Sequence, residues 1–459
     1  MTIRTMLAAA LLLAPAAAVA QREVPPAPGT PKSFRLSQAR AFALPNGMQV
    51  TLTPFGTIPK AHVRLVVRAG ALHEGPKETW LSGLAADMLT EGTTTKSASQ
   101  LAETFAGMGG SLFSFAGADE TSIGAEVLSE RTADAVALIA EVAQRPAFPA
   151  SEFDRVKQSR LRQLAIQKSQ PQPVATQEFR EALYGSHPYA RIYPDEAEFT
   201  ALTLAQARGF WARNAGAQRS HLYVAGVFDA ASVERAIRAA FGGWAKGPAP
   251  VVNPPKPAAR RRVDLTDRPK APQSTIAMGL PVAPPTNRDW IGLNVANALL
   301  GGSFGSRITS NIREDKGYTY SPFSSVSPRL QDAYWVQNAD VTSEQTGNSL
   351  KEIFHEIDRL RAEPPKPEEL RGIQNYMAGI FTLQNSSRAG IVGQLQFANL
   401  HGLGPQYLTG YVDNVMKVTP QEVQRVTRRY IDPARMTVVV VGDSASVAPQ
   451  LQPYRSAVP

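Results

Sequence analysis

Six histidines and no cysteine bound the chemistry open to this chain. Without a thiol there is no thiolate nucleophile, no cysteine-ligated zinc and no disulfide. A catalytic zinc needs three converging side chains with lone pairs, usually His or carboxylate, and a fourth position open to water. His62, His73, His187, His221, His355 and His401 never stand three or four residues apart, the spacing that places two ligands on one helix face. His73-Glu74 and His355-Glu356 are adjacent, so on a regular element their side chains diverge. These histidines read as surface or hydrogen-bonded structural residues, and the expectation is a chain with no metal site of its own.

Any site must be carried on elements that come in two copies. Leu202-Thr203 opens a helical pattern leading to an apolar strand at 220–226, and Val418-Thr419 opens another leading to 436–442. The two threonines and the two closing glycines, Gly226 and Gly442, are each offset by 216 residues. Each unit is an N-capped helix, a turn and a strand ending in glycine, followed by a short helix. Upstream, 48–53 and 62–69 read as strands before a helix at 81–89, and 274–280 as a strand before a helix at 290–300. Strands and helices mix without regular βαβ alternation. The predicted fold is therefore α+β: two homologous domains, each a mostly antiparallel sheet packed with helices.

Between the copies, 245–273 holds Pro248, Pro250, Pro254, Pro255, Pro257, Pro269 and Pro272 around Arg260-Arg261-Arg262. Repeated proline removes backbone donors, so this stretch is expected to be an extended, solvated linker outside any core. At the other end, Arg4, an apolar run over 6–14 and Ala18-Val19-Ala20 before Gln21 have the order of a secretory signal peptide. The run is too short to span a bilayer. The expected division is 1–20 signal peptide, 21–244 N-terminal domain, 245–273 linker and 274–459 C-terminal domain, in a protein exported to a bacterial periplasm. The net charge of +9 accompanies no zinc-finger spacing or RNP-type aromatic motif, so no nucleic-acid partner is expected.

Taken in order, several segments resemble the landmarks of the pitrilysin/insulinase family of zinc peptidases, in its short two-domain, mitochondrial-processing-peptidase-like type. They are Leu44-Pro45-Asn46-Gly47-Met48, Val66-Val67-Arg68-Ala69-Gly70, 88–93, Gly109-Gly110-Ser111, His187-Pro188-Tyr189 and 299–320. The resemblance runs from about Phe42 to Gly442. It implies that the helix before 88–93 should carry H-x-x-E-H, two zinc ligands and a general base. Gly83, Ala86 and Asp87 stand there instead, and the third-ligand register lands near Gln163, with no acid beside it. What it implies is a subunit lacking the zinc motif.

The second half of the pattern is kept. The resemblance implies that Arg313 and Tyr320, after the glycine-rich turn 301–307, reach the zinc site of an opposing half-molecule, with Gly317 permitting the reversal between them. Arg313 would hydrogen-bond a substrate carbonyl or terminal carboxylate, and Tyr320 would donate to the oxyanion. It also implies an edge strand that pairs with extended peptide, formed by Gly110, Ser111, Leu112, Phe113, Ser114 and Phe115. The expected function is the non-zinc subunit of an exported heterodimeric metalloendopeptidase, inactive alone. Zinc would reside in a sister subunit bearing H-x-x-E-H, and peptides would be the substrates. The alternative is a non-catalytic peptide-binding or assembly protein on the same fold.

Overall fold

The structure, a computed structural model, describes residues 29–455 apart from 30, 37 and 405. The stretch read as a signal peptide, 1–20, lies outside the described residues.

Six strands form the first sheet: β1 (Arg40–Ala43), β2 (Gln49–Pro54), β3 (Lys60–Val67), β4 (Leu112–Ala116), β5 (Thr121–Leu128) and β6 (Ser220–Gly226). Their order is β1-β2-β6-β3-β5-β4, with only β2 and β6 parallel. Five strands form the second: β7 (Arg262–Asp267), β8 (Gln273–Val282), β9 (Phe323–Arg329), β10 (Asp332–Thr342) and β11 (Thr437–Gly442). Their order is β7-β11-β8-β10-β9, with only β7 and β11 parallel. With β1 set aside, the two sheets match strand for strand.

The sequence repeat corresponds to real elements. Thr203 and Thr419 cap the helices Leu204–Asn214 and Pro420–Tyr430, accepting from the backbone N–H groups of Gln206 and Glu422. Gly226 and Gly442 close β6 and β11. The matching topology also corrects the reading of 245–273. Arg262–Asp267 is not linker but β7, the parallel edge strand corresponding to β2. Nor is the arginine run freely solvated: Arg261 donates to the carbonyls of Pro433 and Tyr454 and lies over the Phe354 ring, and Arg262 pairs with Asp264.

Each sheet is covered on one face by helices of its own half. On the other face it receives a helix from the opposite half, which is why β6 and β11 are apolar on both sides. The helix Pro171–Tyr184 presses Ala175, Phe179 and Leu183 onto Ala277, Val336, Val439 and Val441 of the second sheet. In return, Arg388–Leu400 sets Ile391 and Val392 against Val66, Tyr223 and Ala225 of the first. Burying Phe179 or Leu183 contributes about 1.5–3 kcal/mol each. Polar contacts fix the register: the Tyr184 hydroxyl donates to Asp332 at 2.7 Å, and Arg388 grips Glu126 at 2.8 and 3.2 Å.

Candidate functional site

The helix Leu81–Met88 stands beside β4, its residues buried except Asp87. Small residues and leucines let it sit tightly between β4 and the helix Ala150–Ser169. Its entry is held by Trp80, a residue in the left-handed conformation at φ 74°. The Trp80 indole donates to the carbonyl of Ile192 at 2.7 Å and meets Tyr193 and Phe199 edge-on.

Zinc does not fit the residues present at this helix. Gly83 and Ala86 offer no lone pair, and Gln163 is exposed on its helix. Among the described residues no three His, Cys, Asp or Glu side chains group as metal ligands. A cation of another kind fills the gap. Arg160, one turn before Gln163, donates Nε to Asp87 Oδ2 at 2.5 Å and Nη2 to Oδ1 at 2.9 Å. A Cβ on Gly83 would lie 2.6 Å from Arg160 Nη1, so the missing side chain at 83 is what admits the guanidinium. Arg160 was missed in the sequence because nothing in the local pattern tells which arginine of 155, 160 and 162 points inward.

Glu74 lies alongside, buried. It accepts from the Ser82 N–H at 2.8 Å, the Ser82 hydroxyl at 2.5 Å and the Trp80 N–H at 3.2 Å. Burial outweighs these hydrogen bonds and pushes its carboxyl up to about 7.

Arg313 and Tyr320 sit on the other sheet. A short helical turn, Arg307–Thr309, runs into a π-helical segment, Ser310–Asp315, and the chain reverses through Gly317 at φ 65°. The Tyr318 N–H bonds to the Ile312 carbonyl at 2.8 Å, and Thr319 bridges to Val341 of β10. The fold therefore brings the two residues together: the Arg313 guanidinium lies 4.9 Å from the Tyr320 ring centre. The same guanidinium lies 4.4 Å from the ring centre of Phe304, a residue of the glycine-rich turn whose role the sequence does not signal. Tyr320 is 79% exposed and Phe304 68%, so this stack faces solvent. Nε of Arg313 pairs with Glu314 at 3.1 Å.

Residues 110–115 lie at the edge of the first sheet, where, among the described residues, β4 pairs with β5 alone. Gly110 is needed there, because a Cβ would collide with the Glu126 carbonyl. Leu112 packs towards the helical core. Phe113 and Phe115 share the opposite face, where Phe113 stacks on His62 at 5.8 Å and on Phe115 at 6.0 Å, with Arg64 over its ring. Ser111 and Phe115 are exposed, while Ser114 Oγ is buried without a hydrogen-bond partner. This edge and the Arg313–Tyr320 turn thus belong to different sheets.

Comparison with known proteins adds the following. Residues 52–194 match the family model of insulinase (peptidase family M16), and 201–377 match that of the peptidase M16 inactive domain. An uncharacterised zinc protease of Mycobacterium tuberculosis is 26% identical over 399 residues, covering 84% of this chain and 88% of the relative. The crystal structure of a peptidase M16 inactive domain from Pseudomonas fluorescens superposes with a TM-score of 0.81 at 26% identity, over 88% of this chain and 98% of that one. The periplasmic protease PqqL from Escherichia coli shares the fold at a TM-score of 0.77 and 16% identity, over 90% of this chain and 46% of its own.

Proposed function

This chain belongs to peptidase family M16, and from that membership we propose that it is the zinc-free subunit of a heterodimeric metallopeptidase. One observation carries the reading. The face that should hold the metal is closed by Asp87 and Arg160, while Arg313, Phe304 and Tyr320 form an exposed stack. A lone chain has no use for that stack as catalytic machinery. A sister chain with H-x-x-E-H and its zinc does.

In the assembled enzyme Arg313 orients the peptide by donating to a backbone carbonyl or terminal carboxylate. Tyr320 donates its hydroxyl to the oxyanion that forms as water attacks in the partner's site. The β4 edge, residues 110–115, takes extended peptide as an added strand. The chain contributes two peptidase-like domains that divide ahead of β7. The periplasm is the proposed compartment: the signal-like 1–20 stretch and the periplasmic E. coli neighbour support it, and among the described residues no helix is long and apolar enough to cross a membrane.

The test is reconstitution. Zinc content and peptidase activity are measured for this chain, for an H-x-x-E-H homologue from the same genome, and for their mixture. Activity that appears only on mixing, with zinc in the homologue, supports the reading. No association and no gain would end it in favour of a peptide-binding protein without catalytic role, the reading that the open β4 edge favours on its own.

A further inference from the structure

A cavity of ≈ 260 Å³ opens where the metal face meets the end of β4. Its walls include Gly83 and Arg160, the Ala116–Gly117–Ala118 backbone at the end of the edge strand, and two further arginines, Arg180 and Arg191. Three guanidinium groups around so small a space are costly unless each has an anion.

Only one has. Arg160 spends its fork on Asp87. Arg191 donates one Nη2–H to the Glu74 carbonyl oxygen at 2.8 Å, and its Nε is buried with no hydrogen-bond partner among the described residues. Arg180 makes no hydrogen bond or ion pair among the described residues, and its Nε too is buried and unpartnered. Two acids lie nearby with their hydrogen bonds directed elsewhere: Glu74, itself part of the cavity wall, to Ser82 and Trp80, and Asp119 to the Tyr189 hydroxyl at 2.5 Å, so that Arg191 and Arg180 act on them only through space. Burial and the neighbouring Arg329 draw the Arg180 pKa down to about 10, which still leaves it charged at neutral pH.

We infer that this pocket binds the carboxylate of a peptide whose backbone adds to β4, with Arg180 and Arg191 as its anchors. A carboxylate matches the planar guanidinium fork and supplies the missing acceptors. The Ala116–Ala118 wall continues the end of β4, so a peptide added to that edge, as proposed above, would finish beside the cavity. The carboxylate can be the C-terminus or an Asp or Glu side chain. Loss of zinc has, on this account, turned a hydrolytic centre into an anion-holding one. The inference does not depend on a catalytic partner. It is tested on this chain alone, whereas the subunit reading stands or falls on turnover of a mixture.

The measurement is peptide affinity by fluorescence anisotropy in 0.15 M salt, where the Debye length is about 8 Å and general attraction to a basic chain is damped. Three labelled, otherwise identical apolar peptides are used: free acid, C-terminal amide, and amide with a glutamate near the end. The free acid is expected to bind about tenfold more tightly than the plain amide, the gain from a charge-assisted pair. Gain in the free acid alone assigns the carboxylate to the C-terminus, gain in the glutamate peptide alone assigns it to a side chain, and gain in both shows that the pocket takes either. Arg180→Gln should reduce the acid to the affinity of the amide and leave the amide unchanged, and Arg180→Lys should recover part of the difference. Circular dichroism checks folding, and Arg191→Gln serves if Arg180→Gln unfolds. Equal affinity of all three peptides for the wild-type chain, or a carboxylate preference that survives in the folded Gln variant, overturns the inference.

Discussion

Arg160 and Arg313 both lie over an aromatic ring, Trp80 in one case and Tyr320 in the other, yet the two regions use their charges in opposite ways. The fork of Arg160 is consumed by Asp87 inside a helix pair, where the contact holds structure together. Arg313 lies over two exposed rings and pairs through Nε with Glu314, an acid on the same short turn, in place of a partner on another helix. The first arrangement favours stability. The second leaves apolar rings in water at some cost, which makes sense where another surface is to cover them.

The largest effect expected from breaking this contrast is on turnover. In the reconstituted complex, Tyr320→Phe should lower kcat by about 10²–10³, the usual loss for one oxyanion donor. Arg313→Ala should lower kcat/KM, and both variants should keep the unfolding free energy within about 0.5 kcal/mol. Wild-type turnover in both would mean the exposed stack is not catalytic.

Arg160→Ala should do the reverse. It leaves Asp87 half-buried without its partner and opens space against Gly83, at a cost of about 2 kcal/mol once partial solvent screening is allowed for. Denaturant titration reads this directly, and a loss no greater than that of Arg313→Ala would dissolve the distinction between the two sites.

Next is pH. The Glu74 carboxyl is raised to about 7 from its ordinary 4.5, so between these values the folded chain holds a proton that the unfolded chain has released. Its contribution to stability is therefore full below about pH 4.5 and lost as the pH rises to about 7. His62, His73, His221 and His401 have lowered pKa values and act with the opposite sign, so the comparison must be between variant and wild type. Glu74→Gln should gain about 3 kcal/mol relative to wild type between pH 4.5 and 7.5. A difference that stays flat with pH would show that Glu74 is ionised throughout.

The smallest expected effect is none. Gly83→His with Ala86→Glu and Asp87→His should bind no zinc by elemental analysis, because Arg160 keeps a positive charge at the site and no third ligand stands near Gln163. Stoichiometric zinc in that variant would show that Arg160 swings aside freely.

Much of this was legible in the chain. The repeat offset, the capping threonines and the closing glycines pointed to two matching domains because capping and strand-ending are local events. The empty metal positions were readable for the same reason: a missing lone pair needs no fold to detect. β7 was hidden because the prolines and arginines around it look solvated, and it becomes a strand only when β11 offers a parallel edge. Phe304 was passed over because its exposure, and its stacking on Arg313, exist only after the chain has reversed at Gly317.

The sequence by itself determined which chemistry this chain lacks, since side-chain type alone decides whether a ligand or a thiol exists. It also determined the duplicated plan, because periodicity and caps are written within a few residues of one another. Only the tertiary structure decided what stands where the metal would be. Arg160 and Asp87 are far apart in the chain, and Arg180 and Arg191 reach the same cavity from different elements. Whether a guanidinium finds a carboxylate or is left waiting for one depends on which helices pack together, and that is settled by the burial of apolar faces.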